Sequence, residues 1–163
     1  MFERLNTPQE AYNYKLGAAL KMEQTVLDML DKNAEEAQAE QVRQLFRHHQ
    51  DETRQQIANL EQAFALLGWD VDTSPCPAIE GLEKEGKANA KKTDDALVDD
   101  ALLQGAAEVE HHEIGVYENL IIHARAMGRG DVARLLEQNL EQERHTLREV
   151  LEQEELFAGS AVL

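Results

Sequence analysis

Glutamate occupies the apolar face of each of four long segments of helical period. Glu23, Glu52, the pair Glu110 and Glu113, and Glu143 lie in or beside stripes of Leu, Val, Ile and Ala. A carboxylate taken out of water is costly unless it is protonated, paired or bound to a metal. Five of them converging in one core share one explanation, a dinuclear metal site inside a four-helix bundle, where glutamates from facing helices project inward. His49 precedes Glu52 by three residues, so imidazole and carboxylate approach one ion from adjacent turns. Carboxylates with some imidazole suit iron(II) and manganese(II) alike. Five carboxylates around two divalent ions leave about one net negative charge, which a protonated ligand, a nearby arginine or oxidation of the metal absorbs. Without metal, several of these groups stay protonated at neutral pH, because like charges at close range raise one another's pKa.

Helical geometry, at about 100° per residue, sorts the candidates. In the third long segment Leu103, Ala106, Ala107, Ile114, Tyr117 and Ile121 define a buried arc with Glu110 at its centre and Glu113 about 60° away. In the fourth, Val132, Leu136, Leu140, Leu147 and Val150 surround Glu143. In the second, Leu45, Leu60 and Leu67 define an arc with His49 near its centre and Glu52 towards one edge. A single glutamate in such a stripe is ordinarily an edge residue whose stem covers the core while its head reaches water. A single histidine is ordinarily a core residue. Recurrence on all four segments carries the metal reading. Gln56 either hydrogen-bonds a ligand from behind or only packs. His111 either flanks the site or sits at a helix–helix seam. Tyr117 either donates a hydrogen bond to a ligand carboxylate or is an ordinary core tyrosine. His48, His112 and His145 point away from the arcs and read as surface.

These residues need long helices to position them, and the chain supplies them. It has 163 residues, 29% charged and 5% aromatic, with only three prolines. That is the profile of one all-helical domain with a proper core. Thr7-Pro8-Gln9-Glu10 is a helix start, with Thr as N-cap, Pro first and Glu third. The expected helices cover residues 8–32, 36–67, 94–127 and 131–155. Gly68 ends the second as a C′ glycine, and Gly128-Arg129-Gly130 separates the last two. Residues 68–93 form a crossover that opens with a turn-rich stretch and contains a short helix at about 78–91. The tail 156–163 is small and apolar, and frays or docks on a partner subunit. Two short connections and one long one give two antiparallel helix pairs joined by a crossover, which is the ferritin-like arrangement rather than a simple up-down bundle.

Composition also excludes function classes. The net charge of −16 argues against nucleic acid, whose recognition rests on a basic footprint, and against anionic membrane surfaces. No apolar run approaches the length of a membrane span, and no signal peptide is visible, so the cytoplasm is the expected compartment. Cys76 is the only cysteine, so an internal disulfide and thiolate metal motifs are both absent.

The segments HHQDETRQQIANLEQAFALLGWD, CPAIEGLEKEG, VEHHEIGVYENL and LLEQNLEQERHTLREV, within about residues 10–152, resemble the YciE/YciF-type ferritin-like proteins, also called the DUF892 family. His-x-x-Glu-Thr at 49–53, Val-Glu-His-x-Glu-Ile at 109–114 and Cys-x-x-x-Glu-Gly at 76–81 carry the resemblance together. It implies a ferritin-like bundle, a homodimer, and a dinuclear carboxylate site with Glu23, His49, Glu52, Glu110, Glu113 and Glu143 as ligands. It also implies bacterial stress response and a ferroxidase-like label. The wider ferritin-like superfamily often uses Glu-x-x-His on two helices. Here the second helix reads His-x-x-Glu, and Thr146 stands three residues after Glu143, so the two ions have unlike coordination. Lack of a cysteine cluster excludes an attached rubredoxin, and no fifth helix follows to build a storage cage.

The leading functional expectation is a di-iron protein that binds two iron ions within the bundle and reacts with oxygen or peroxide. The alternatives are a dimeric helical stress or interaction protein with a structural metal or none, and a manganese enzyme of catalase type.

Overall fold

The computed structural model describes residues 4–161, with side chains to 158. Thr7 starts the first helix as its neighbours dictate. Its hydroxyl accepts from the Glu10 N–H at 3.1 Å, and the Glu10 carboxylate accepts from the Thr7 N–H at 3.2 Å. This capping box satisfies two helix-end donors reciprocally. Five helices follow: α1 (Pro8–Glu36), α2 (Glu40–Leu67), α3 (Pro77–Ala90), α4 (Val98–Ala126, after a 3-10 turn at Asp95–Leu97) and α5 (Gly130–Ala161). No strand occurs among the described residues.

Around the bundle the order is α1, α2, α5, α4, each packed on the next, and α3 lies across α1 and α4. Tyr12, at the start of α1, donates to the Leu120 carbonyl late in α4, so these two run antiparallel. Asn59, late in α2, meets Asn139, early in α5, so those two are antiparallel as well. The diagonal helices α2 and α4 therefore point the same way, and the chain between them must traverse the bundle. The fold is an all-α, ferritin-like four-helix bundle with one crossover that holds a short helix.

Both ends of the bundle are tied. Ala39 opens α2 without a side-chain cap of its own. The buried Asp99 carboxylate, from the start of α4, supplies one instead, accepting from the Gln38 and Ala39 N–H groups at 2.8 Å each. At the other end Gly68 and Gly128 take the left-handed conformation that ends a helix, each with φ 72°. Arg129 there donates to the Leu66 carbonyl at 2.6 Å and to both Asp131 oxygens. The crossover reaches the bundle at Gly17, where a Cβ would lie 3.0 Å from the Asp72 carbonyl oxygen and 2.7 Å from the Ser74 hydroxyl.

Several boundaries differ from the sequence reading. The helix α1 continues past Lys32 to Glu36 because Ala34 and Ala37 are buried in the core, which outweighs the turn preference of Asn33. The helix α2 starts at Glu40 rather than near 36, and α4 at Val98 rather than 94. The helix α5 extends beyond 155 to Ala161, so residues 156–161 do not form a separate tail. Residues 162–163 of that expected tail lie outside the described residues.

Candidate metal centre

Glu23 sits midway along α1 between Leu16, Leu20, Val26 and Leu30, all of them buried, so the face that builds the core must also bury the carboxylate. The same logic places His49 between Val42, Phe46 and Leu60, Glu110 and Glu113 between Leu103, Ala106, Ala107 and Tyr117, and Glu143 between Leu136, Leu140 and Val150. The four helix faces meet. One donor atom from each of His49, Glu110, Glu113 and Glu143 lies within 4.8 Å of all the others. Donors around one ion, each about 2.1 Å from it, are at most about 4.2 Å apart, so a contraction of a few tenths of an ångström would close this set on a cation.

His49 lies between two carboxylates, its Nδ1 3.2 Å from Glu110 Oε1 and its Nε2 3.5 Å from Glu143 Oε2. Glu23 and Glu52 stand on either flank. Glu23 is fully buried, and Tyr117 donates its hydroxyl proton to Glu23 Oε1. Glu52 is at the rim, its side chain 15% exposed. Its Oε2 accepts from the Thr146 hydroxyl at 3.1 Å, and its Oε1 lies 3.8 Å from His48 Nε2.

Burial pushes the Glu23, Glu110 and Glu113 carboxyls well above the usual carboxylate range, and the negative charge of Glu143 adds to the effect on each. Burial likewise raises the Tyr117 phenol far above its ordinary value, so it is a fixed proton donor. Hydrogen bonding leaves much unfinished here. Glu23 Oε2, His49 Nε2, Glu110 Oε2 and both oxygens of Glu113 and of Glu143 are buried without a hydrogen-bond partner. Native proteins pair nearly all such atoms, so a cluster of orphans calls for an ion or ordered water. An oxygen-rich donor set with one imidazole fits a hard or borderline divalent cation.

Behind Glu23 runs a buried polar chain. Asn139 donates through Nδ2 to the Tyr117 oxygen at 3.0 Å and to the Gln56 carbonyl at 3.2 Å. Asn59 donates to Asn139 Oδ1 at 2.7 Å. This chain holds α1, α2, α4 and α5 together at one level. Asn139 and Asn59 escaped the sequence reading, although Asn139 sits four residues before Glu143, on the same face of α5, and this spacing was the available signal.

The remaining candidates divide. Gln56 is fully buried with neither amide atom paired, so it belongs to the polar interior, one turn beyond Glu52. His111 is exposed and neither flanks the cluster nor fills a seam. His112, expected at the surface, is half-buried, its Nε2 buried without a partner, and burial lowers its pKa. The helix α3 gives α4 a third neighbour beyond the two that a bare bundle supplies. His48 and His145 are at the surface, with side chains 62% and 52% exposed. Among the described residues no helix is long and apolar enough to cross a membrane.

Similar proteins carry the same architecture. The structure of the stress protein YciF of Escherichia coli matches with a TM-score of 0.90 at 27% identity, covering 95% of this chain and 99% of that one. YcfI of Rhodopseudomonas palustris matches with a TM-score of 0.88 at 33% identity, covering 92% of this chain and 97% of that one. A protein of Xanthomonas campestris, 22% identical with a TM-score of 0.76 over 96% of both chains, shares the fold. In sequence, YciF of Escherichia coli is 31% identical over 144 residues, 87% of each chain. The family described as a domain of unknown function, DUF892, matches residues 7–156. With that match spanning all four bundle helices, and a relative this similar over most of its length, the chain belongs to the DUF892 family.

Proposed function

We propose that the buried cluster holds two divalent metal ions, iron in the first instance and manganese as the alternative, and that the protein carries out oxygen- or peroxide-linked redox chemistry of ferroxidase type. The observation that carries this reading is the convergence of His49, Glu110, Glu113 and Glu143 with their unpaired donor atoms in a closed core. The chain would hold the ions with these four, Glu23 completing one side and Glu52 the other. Two iron ions, when bound, supply the one-electron couples and open coordination positions that reduction of oxygen or peroxide requires.

The protein's own part is positional and electrostatic. The carboxylates neutralise the ions and release their protons on metal binding. Tyr117 fixes the orientation of Glu23, and Asn139 fixes Tyr117. The packed helices exclude bulk water from all but the Glu52 side. As in the relative described as a stress protein, we place the activity in bacterial stress response, in the cytoplasm. We also infer a homodimer, for which the exposed apolar Ile122 and Leu156 are candidate contacts.

Stopped-flow absorbance on protein loaded anaerobically with iron(II), then mixed with oxygen or with peroxide, tests the redox reading. Oxidation faster than for iron(II) in buffer, and slowed in Glu113→Gln, is the expected result. Retained iron oxidised no faster than in solution would favour a helical stress or interaction protein with a structural metal. The hydrogen-bonded chain from Asn59 to Glu23, which ties the bundle together, is the observation on that side.

A further inference from the structure

A buried metal cluster needs a way in. Glu23, His49, Glu110, Glu113 and Glu143 are each at most 3% exposed. On the α1 and α4 side the cluster is closed by Leu16, Leu20, Leu103 and Tyr117, none of them accessible. Towards the Gly68 end it is closed by the hydrogen-bonded Asn59, Asn139 and Tyr117. Glu52 is the exception, a carboxylate 15% exposed and one turn from His49. It is close enough for its charge to act on Glu110. Its two oxygens are held lightly, one by the Thr146 hydroxyl and the other near His48 across 3.8 Å.

One turn before Glu52 on α2, at His48, the surface is hollowed. A depression of about 300 Å³ runs along the α2–α5 seam, lined by Gln41, Gln44 and His48 from α2 and by Glu149, Glu152 and Gln153 from α5. Its lining holds two carboxylates and an imidazole and no lysine or arginine. Two other depressions, on α3, are lined by Lys87 and Lys91 together with Glu83, and present cations of their own. His48 lines the seam depression and its Nε2 lies 3.8 Å from Glu52 Oε1, so one side chain separates the hollow from Glu52.

We propose that divalent cations reach the buried cluster through the α2–α5 seam, gathered at its mouth by Glu149, Glu152 and His48 and passed inward by Glu52. The proposal rests on the metal-binding reading of the cluster and names its route. Two carboxylates with no lysine or arginine in the lining concentrate a cation at the mouth, where Glu149 exchanges its 3.5 Å approach to His145 for the ion. Glu52 then exchanges its bonds to Thr146 and the neighbourhood of His48 for the ion, and turns with it towards His49 and Glu110. Each arriving cation displaces protons from the cluster carboxyls to solvent, and no other covalent bond changes.

Cobalt(II) is the probe, because its visible absorption reports coordination without redox chemistry. Anaerobic stopped-flow mixing compares the intact chain, the double variant Glu149→Gln/Glu152→Gln, and the control Asp28→Asn/Glu35→Gln. The control removes the same charge from exposed positions on α1. The seam variant is expected to bind cobalt(II) about tenfold more slowly, with the same final spectrum and stoichiometry, while the control binds at the rate of the intact chain. Equal slowing in both variants, or none in the seam variant, would overturn the route while leaving the cluster as a metal site. Failure of the intact chain to develop the cobalt spectrum at all would remove the metal reading, and the route with it.

Discussion

Replacing Glu113 by glutamine tests the electrostatics of the metal-free cluster. Burial and the charge of Glu143 raise the Glu113 carboxyl well above its ordinary 4.5, as they do for Glu23 and Glu110. The folded chain therefore keeps protons on these groups at pH values where the unfolded chain has lost them. Stability from each is fully present below the unfolded pKa and is lost as pH rises through the folded one. Within that window each group contributes a slope of up to about −1.4 kcal/mol per pH unit. In Glu113→Gln one such slope disappears. Between pH 6 and 8 the variant should gain stability relative to the intact chain, by at most about 3 kcal/mol. For a chain of this length that ceiling corresponds to roughly 6–12 °C in Tm. His112 acts with the opposite sign near its ordinary 6.5, since burial lowers its pKa, but it is common to both proteins and cancels in the difference. Asp131 is already lowered to about 2 by its hydrogen bond from Arg129, and so contributes no slope there. The assay is thermal unfolding with excess chelator at intervals from pH 5 to 8. A metal-free intact chain whose stability is flat across this range, with a parallel curve for the variant, would refute the reasoning. It would mean that the cluster is ionised and compensated.

Three further outcomes follow from particular contacts. Asp99→Ala leaves the N–H groups that open α2 without their cap and should cost about 2 kcal/mol, or roughly 4–8 °C in Tm, read by calorimetry. Tyr117→Phe removes the proton donor to Glu23 and should weaken metal binding about 10- to 100-fold in a competitive chelator titration, with a stability loss of about 1–3 kcal/mol. Gly17→Ala gains up to about 1 kcal/mol of helix propensity but forces the crossover backbone away from α1, for a net loss of about 1–2 kcal/mol in urea unfolding.

What could be read from residues alone was what is local or periodic. The capping box at Thr7 and Glu10 and the left-handed glycine at Gly68 depend on neighbours within a few positions. The inward face of each helix follows from its stripe, which is why Glu23, His49, Glu110, Glu113 and Glu143 were legible as buried. What is set by distant partners was not. Asp99 caps a helix that begins some 60 positions earlier. Asn59 and Asn139 are ordinary polar residues until α2 and α5 pack. The arc of α2 was centred on Leu45, Leu60 and Leu67, but Val42, Phe46, Thr53 and Gln56 are its buried line, and Leu45 and Leu67 are at its edge. That rotation takes Gln56 fully inside and leaves Glu52 at the rim. It also explains why the six candidates do not form one equivalent set. The packing of α3 on α4 likewise cannot be read from the stripe of α4 itself.

The most direct measurement is the metal content of the purified protein by mass spectrometry, before and after anaerobic loading with iron(II). The account predicts about two irons per chain in the loaded protein, lost in Glu110→Ala while the helical signal of that variant persists. No retained metal under any loading would contradict it, and the glutamates of the core would then be protonated, hydrogen-bonded elements of a purely structural bundle.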